Sequence, residues 1–259
     1  EVMPIGATAI AIGLFQTIFL IRTPKEALGD FLDPSVWFIF GSVVIGLAFS
    51  STGLTKRMAY KMLNIVGERT NMILLGTFLV VAAMTLLMAH TAVAATMFPL
   101  LAAIYRLYEE GDTPTRFGKG LFIGMAYVAG AGSIVTLLGA ARGAVALGFF
   151  KEITGREITF FQLSWYMFPV GWTMVFALWA FFTVYYKPER ATIPGLRQRA
   201  NDLYTRLGPI TAKEIQAAVI VVSAVSIMSL RSFIPALKGV VMVAGRSSGC
   251  WAMAARITR

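Results

Sequence analysis

The stretch Thr70–Tyr105 decides the fold, and it reads TNMILLGTFLVVAAMTLLMAHTAVAATMFPLLAAIY. It contains no acidic residue, lysine or arginine over its 36 positions. A helical crossing of a membrane needs about 20 residues, so the stretch is too long for one crossing and too short for two with a turn. Its one polar break, Ala89-His90-Thr91, lies near the middle. We therefore predict two half-length helices, at about 72–88 and 92–105, that meet at a polar tip.

Each half-length helix is too short to cross a bilayer alone. At about 1.5 Å per residue the halves would measure about 21–26 Å, against a hydrocarbon core of about 30 Å. A hairpin that enters and returns on one side is tolerated where its tip is buried in protein or lines a polar cavity. Broken helices of this kind build substrate and ion sites in transporters. The stretch therefore predicts a re-entrant hairpin and solute transport.

The composition is that of an integral membrane protein. The chain is 57% hydrophobic and 14% charged, whereas soluble domains carry about 25% charged residues. The uncharged windows are 2–21, 34–55, 70–105, 120–141, 158–186 and 215–230. We predict an all-α, multi-pass protein of the cell (inner or cytoplasmic) membrane, with the lipid bilayer as its main partner. The net charge of +10 is explained by basic cytoplasmic loops, so no nucleic-acid partner is expected.

The distribution of basic residues independently favours the hairpin. Loops 56–69 and 106–119 flank the stretch, so they share a side if it is re-entrant and lie on opposite sides if it crosses once. In the re-entrant arrangement these loops and 187–213 place 13 basic residues inside, while 22–33 and 151–157 leave 4 outside. Cytoplasmic loops carry the excess of lysine and arginine. The single-crossing arrangement would weaken that asymmetry.

The remaining path follows from the same pattern. Spans are predicted at 2–21, 34–54 and 159–185, the last ending at the interfacial aromatic pair Tyr185-Tyr186. Residues 55–68 form an amphipathic interfacial helix, with apolar Leu54, Met58, Met62 and Ile65 on one face and Lys56, Arg57 and Lys61 on the other.

A second broken segment is predicted at 118–150. This segment is rich in glycine, at positions 118, 120, 124, 130, 132, 139, 143 and 148. One interpretation is tight packing of helices through small residues. The other is an unwound stretch around Gly130–Gly143, whose freed carbonyls coordinate a cation and whose half-helix N-terminus faces an anion. Ser133 and Thr136 would add hydroxyl oxygens to such a site.

Two further residues are candidates for the same site. Arg142 lies away from any loop, and an arginine within a span is a functional candidate by default; the alternative is that its side chain reaches an interface. His90 is the only histidine. On an ordinary membrane helix it would be a packed, hydrogen-bonded residue, but at a hairpin tip it is placed to donate to an anion or to titrate.

The sequence lacks the residues that enzymatic or redox chemistry would need. No aspartate or glutamate falls within an uncharged window, which argues against a carboxylate proton relay, hydrolase chemistry and a carboxylate-rich metal site. The single cysteine, Cys250, rules out an intrachain disulfide. What remains is a neutral-to-positive site of hydroxyls and carbonyls, suited to an anion. No organic cofactor is expected, and a monovalent cation such as Na⁺ is the one inorganic candidate.

Five segments together carry a resemblance to a known family: residues 27–41, Thr52-Gly53-Leu54, residues 88–99, residues 124–139 and residues 147–155. In their order and spacing they resemble the divalent anion/sodium symporter family of dicarboxylate, citrate and sulfate carriers, and the resemblance covers about residues 1–220. It implies the N-terminal inverted-repeat half of an elevator-type transporter, with a transport domain moving against a homodimeric scaffold. The implied domains are 1–68 (scaffold-like), 69–150 (transport-domain-like), 151–230 (scaffold-like) and an atypical tail at 231–259.

The chain departs from the family pattern at both breaks. The family's hairpin tip reads Ser-Asn-Thr and binds sodium and a substrate carboxylate, but here only Thr91 is kept after Ala89 and His90. The family's second motif reads Gly-Thr-Pro-Pro-Asn, and here only Gly139 is kept. The resemblance implies a Na⁺ site near Thr91 and Gly139. Our hypothesis is that Arg142 stands in for a coupling cation, which would give an exchanger or a weakly sodium-dependent carrier.

The function predicted is secondary transport of a small divalent anion, a C4-dicarboxylate, citrate or sulfate, by cation coupling or exchange. One alternative is a truncated or degenerate half-transporter that acts only as a membrane scaffold and binds partners, since the resemblance covers half of such a protein and residues 231–259 do not resemble the family's continuation. The other is a carrier of a different substrate class, such as a weak acid or an oxyanion.

Overall fold

Helices make up the fold in the computed structural model, which describes residues 4–29, 31, 34–108 and 114–233. In that part of the chain the helices are α1 (Ile5–Ile18), α2 (Pro24–Gly29), α3 (Pro34–Ser51), α4 (Leu54–Val66), α5 (Thr70–Thr85), α6 (His90–Tyr108), α7 (Arg116–Ser133), α8 (Ala141–Thr154), α9 (Phe160–Tyr185), α10 (Leu196–Arg206) and α11 (Ala212–Phe233). An isolated antiparallel bridge joins Arg69 and Thr192. The all-α prediction is confirmed for these residues.

The chain divides into two compact units, residues 1–41 and 42–259. In the first unit α1 packs on α2, and Gly13 of α1 lies close to the backbone oxygen of Ala27 and the ring of Phe31. The second unit holds the main core. The functional domains predicted from the resemblance remain a prediction, because these units are defined by compactness alone.

Helix α5 is the centre of the second unit. Its side chains Ile73, Phe78 and Val81 are completely buried, and it packs against α4, α6, α7 and α9. Gly124 of α7 lies directly against the Phe78 ring, where any side chain would collide. Close helix packing through small residues, one of the two interpretations of the glycine-rich segment, therefore holds for this part of α7.

The stretch is broken as predicted, but the break between α5 and α6 covers residues 86–89 and not Ala89-His90-Thr91: α5 ends three residues earlier than expected, and His90 and Thr91 are the first two residues of α6. The helices run from 70 to 85 and from 90 to 108, so the prediction that each half is too short to cross a bilayer holds for α5 but is wrong for α6. Helix α6 is one of three helices in the described residues that are long and apolar enough to cross a membrane, with α9 and Ala212–Leu230 of α11. The bent pair Val36–Ser51 and Leu54–Val66 makes a fourth candidate, with 61° between its halves.

The second break is shorter than predicted. Helix α7 continues through Ser133 and α8 begins at Ala141, so only residues 134–140 are non-helical. The predicted unwinding from Gly130 is wrong at that end, because Gly130 lies within helix α7. At the other end Gly143 belongs to the first turn of α8.

The polar face predicted for α4 also needs correction. Arg57 was expected on a solvated face, but its side chain is only 8% exposed and pairs with Glu214 of α11 at 3.2 Å. Its guanidinium also donates to the backbone oxygens of Gly208 and Pro209. Ile65, expected on the apolar face, is 77% exposed. The reason is tertiary: α4 packs against α5 and α10, which covers a different face from the one that hydrophobicity alone favours.

The segment that follows α9 joins the start of α5 to the end of α6. The Thr70 hydroxyl, at the start of α5, donates to the backbone oxygen of Arg190 at 2.8 Å. The Arg190 guanidinium donates to the backbone oxygen of Tyr108, at the end of α6, also at 2.8 Å. The start of α5 and the end of α6 therefore lie at the same end of the second unit, with the break at the other end of the pair. The tail beyond residue 233 lies outside the described residues.

Candidate functional site at the meeting of two helix breaks

The two helix breaks contact each other, although about fifty residues separate them in the sequence. The backbone N–H of His90 donates to the carbonyl oxygen of Gly139 at 3.1 Å, and the Nδ1 atom of His90 lies 3.1 Å from the same oxygen. In the other direction, the Thr136 hydroxyl donates to the carbonyl oxygen of Leu86 at 3.0 Å. Carbonyls that a helix would satisfy internally are thus satisfied across the breaks.

Glycine at two positions allows this approach. A Cβ added at Gly139 would lie 2.6 Å from the backbone oxygens of both Ser133 and Thr85. A Cβ at Gly132 would collide with the Thr85 hydroxyl and lie 3.0 Å from the Cα atom of Ala82. The end of α5 and the second break are therefore packed backbone against backbone, which only residues without a side chain permit.

A hydrogen bond between the His90 ring and the Gly139 oxygen requires one tautomer of the imidazole. A carbonyl oxygen can only accept, so Nδ1 must carry the proton of this hydrogen bond. The Nε2 atom is then the ring's remaining polar atom, an acceptor when the imidazole is neutral and a donor when it is charged. The His90 side chain is half-buried, consistent with one ring nitrogen used inside the protein and the other directed away from that bond.

The six predicted site residues fall into three groups. His90, Gly139 and Thr136 meet at the two breaks, as described above. Ser133 is fully buried, and its hydroxyl donates to the carbonyl of Gly130 within α7, so it supports the end of that helix. Thr91 and Arg142 are exposed on the second residues of α6 and α8 respectively.

Arg142 is the exposed cation nearest in sequence to the second break. Within the described residues no hydrogen bond or ion pair of its guanidinium is found. Its position in the first turn of α8 is electrostatically unfavourable, because the N-terminal end of a helix already carries partial positive charge. A bound anion at this end would satisfy both the guanidinium and the helix dipole.

No carboxylate-based metal centre accompanies the breaks. Across the residues that the structure describes, no three His, Cys, Asp or Glu side chains are grouped to hold a metal ion. The oxygens at the breaks are those of hydroxyls and backbone carbonyls, which suit a monovalent cation. Sequence reasoning missed Thr85 and Leu86, because a backbone carbonyl leaves no signature in the sequence. The composition of the uncharged stretch gave no reason to single either out.

Helix α9 shows how far the two breaks lie from the ends of the longest described helix. Its 26 residues span about 39 Å, and Gly171 lies directly against the Val135 side chain of the second break. At about 1.5 Å per residue, Gly171 is about 21 Å from Tyr185, at the end of α9 next to the basic segment 187–213, and about 17 Å from Phe160 at the other end. The two breaks therefore lie at the level of the middle part of the longest helix.

A carboxylate holds the end of the α5–α6 pair that lies away from the break. Glu189 accepts from the backbone N–H groups of Arg116 and Phe117 at the start of α7 and from the Tyr108 hydroxyl. Burial by itself raises the pKa of Glu189, but these donors outweigh it and leave the pKa below its ordinary value. The carboxylate thus ties the end of α6 and the start of α7 to the segment after α9.

Comparison with known proteins identifies the family of the chain. The family described as the sodium:sulfate symporter transmembrane region matches residues 1–245. The chain belongs to this family. The resemblance inferred from the sequence is confirmed, and the match passes residue 220 and includes residues 231–245. The membership and the apolar helices together make the chain a multi-pass membrane protein of a transporter family.

The chain is also similar to named transporters. It is 22% identical over 242 residues to the sodium-dependent dicarboxylate transporter SdcS of Staphylococcus saprophyticus, covering 90% of this chain and 47% of the relative. It is 23% identical over 242 residues to the protein of the same name from Staphylococcus aureus, covering 90% of this chain and 46% of the relative. The chain thus spans about half the length of the curated relatives that it matches.

Proposed function

We propose that this chain forms one half-site of a sodium-coupled carrier of a small divalent anion, with a C4-dicarboxylate as the first candidate substrate. The observation that carries the proposal is the meeting of two helix breaks, through His90, Gly139, Thr136 and Leu86, in a chain of the sodium:sulfate symporter family. The names of the two relatives favour a dicarboxylate, and the family's description keeps sulfate as the second candidate. Citrate is the third.

The re-entrant hairpin is part of the proposal. It is supported by the position of Thr70 and Tyr108 at one end of the unit, because a single crossing by α5 and α6 would separate them by the membrane thickness. It is also supported by depth, since the breaks lie about 17 Å short of the far end of α9. A tip at that level is within a hydrocarbon core of about 30 Å, where backbone breaks occur only in protein or at a polar cavity.

The roles follow from the positions. We assign the anion to the starts of α6 and α8, where Thr91 supplies a hydroxyl and Arg142 a positive charge. We assign Na⁺ to carbonyl and hydroxyl oxygens near Thr91 and Gly139, with Ser133 and Thr136 holding the surrounding backbone. Residues 69–150 would move as the transport domain of an elevator against a homodimeric scaffold formed by 1–68 and 151–230.

Uptake by the protein reconstituted in liposomes tests this proposal. Radiolabelled succinate, sulfate and citrate are supplied with a sodium gradient or with choline in its place. Sodium-dependent uptake of succinate above the other two is the expected result. Absence of uptake for all three anions, in protein that is folded by its thermal transition, would overturn transport and favour the scaffold alternative.

The role of Arg142 is tested by a matched pair of variants on α8. Arg142→Ala is expected to reduce succinate uptake at least tenfold, because a fixed positive charge is lost beside a dianion. Lys151→Ala removes an exposed basic residue from the last turn of the same helix and is expected to leave uptake unchanged. If Arg142→Ala also increases the dependence on sodium, the arginine takes part of the role of a coupling cation; equal losses in both variants would contradict a specific role.

A further inference from the structure

The Gly139 carbonyl, which lies in the segment where the sequence predicts a Na⁺ site, has no acceptor position left. A backbone carbonyl oxygen has two lone pairs. One receives the backbone N–H of His90 and the other lies 3.1 Å from the ring Nδ1 of the same residue. A cation coordinates through those same lone pairs, so it and the imidazole compete for one position on this oxygen.

The two hydrogen-bond donors of His90 differ in how they can move away from the Gly139 oxygen. The backbone N–H belongs to the first residue of α6, so it moves only with the helix. The ring can leave by rotation about its side-chain bonds, which costs no backbone change. The Gly139 oxygen itself is held in place, because Gly139 is packed against the backbone of Ser133 and Thr85 and the Thr136–Leu86 hydrogen bond joins the same two breaks.

We infer that the His90 ring is a positioning latch that occupies the cation-binding face of the Gly139 carbonyl and must swing away before Na⁺ can bind there. The inference rests on the sodium site of the proposed function, and it makes His90 a competitor of the ion. It predicts that the resident side chain weakens sodium binding: each sodium bound at this carbonyl displaces one hydrogen bond.

The size of the effect follows from that hydrogen bond. A net intramolecular hydrogen bond of about 1–1.4 kcal/mol corresponds to a five- to tenfold change in an equilibrium constant. His90→Ala removes the competing donor and keeps the backbone N–H, so the half-saturating Na⁺ concentration should fall about five- to tenfold. His90→Leu keeps most of the side-chain volume without a donor and should give the same direction, which guards against a cavity effect.

The experiment is a sodium titration of thermal stability in the purified full chain, with potassium and choline as control cations. An ion that binds the folded protein raises its transition temperature with concentration, and the dependence gives the half-saturating value. Thr96→Val is the matched control, because the Thr96 hydroxyl donates to the Ala92 and Val93 carbonyls within α6, away from the breaks. This variant should keep the wild-type sodium dependence.

The outcomes separate the latch from the transport proposal. Tighter sodium binding in both His90 variants, with Thr96→Val unchanged, supports the latch, whereas a purely structural role for His90 would weaken sodium binding or leave it alone. Equal or weaker binding in the variants overturns the latch. If the wild type takes up anions but its transition temperature does not respond to sodium, the sodium part of the proposed function fails. In that case a sodium response that appears in His90→Ala still supports the latch, and the absence of any sodium response in His90→Ala overturns it.

Discussion

Adding one methyl group at Gly139 is the sharpest perturbation of the site. The new Cβ would lie 2.6 Å from the backbone oxygens of Ser133 and Thr85, whereas ordinary contacts of a Cβ begin at 3.4 Å. Each oxygen would have to withdraw by about 0.8 Å. The two hydrogen bonds from His90 to the Gly139 carbonyl are 3.1 Å long, so a shift of Gly139 by half of that withdrawal stretches them to about 3.5 Å, outside the usual N–H···O range of about 2.7–3.2 Å.

The cost can be estimated from its two parts. Overpacking of a well-packed interior costs about 1–3 kcal/mol, and each lost hydrogen bond costs about 0.5–1.5 kcal/mol. A total of about 3 kcal/mol lowers the transition temperature of a chain of this size by about 6–12 °C. Gly139→Ala should therefore melt at a visibly lower temperature in detergent and lose uptake of radiolabelled succinate in liposomes.

Gly130→Ala is the matched control, three residues before the end of α7. An added Cβ at Gly130 meets nothing within 4 Å, and alanine is favoured over glycine in a helix by up to about 1 kcal/mol. This variant should keep uptake and melt at or slightly above the wild-type temperature. A Gly139→Ala protein that melts within about 2 °C of the wild type and transports normally would refute the argument that the site depends on backbone contact between the breaks.

Three further predictions concern the parts that hold the site. Arg57→Leu leaves the buried Glu214 carboxylate without its partner, so the transition temperature should fall, and the double variant with Glu214→Leu should recover part of the loss; an equal or larger loss in the double variant would contradict the pairing. Glu189 has a lowered pKa, so its stabilising contribution is complete above the ordinary glutamate pKa of about 4.3 and is lost as the pH falls through the lower pKa of the folded protein. Between pH 6 and pH 3 the transition temperature should therefore fall less in Glu189→Gln than in the wild type, as measured by melting curves. Single cysteines at Asn71 and Leu107, in a background with the native cysteine replaced, should both react with an impermeant thiol reagent from the cytoplasmic side, whereas labelling from opposite sides would exclude the re-entrant hairpin.

The sequence by itself determined the class of the protein and the presence of two helix breaks, but placed each break only to within a few residues. An uncharged stretch too long for one crossing and too short for two predicts a break, and the polar residues around His90 mark where it falls. The clustered basic loops predict that both ends of this stretch lie on one side of the membrane; Thr70 and Tyr108 both contact Arg190, and the side of the membrane stays a prediction. These features depend on hydrophobicity and charge, which act locally and can be read from the chain.

The tertiary structure decided which groups meet and what each one does. Nothing in the sequence indicates that the His90 ring uses the Gly139 carbonyl or that Thr136 bonds the carbonyl of Leu86, because the breaks are brought together by the packing of α5, α7 and α9. The burial of Arg57 against Glu214 had the same origin, since a partner 157 residues away cannot be inferred from helix periodicity. Local composition fixes where a helix can form and where it ends, but the partners of its free backbone groups depend on which glycines let two backbones approach.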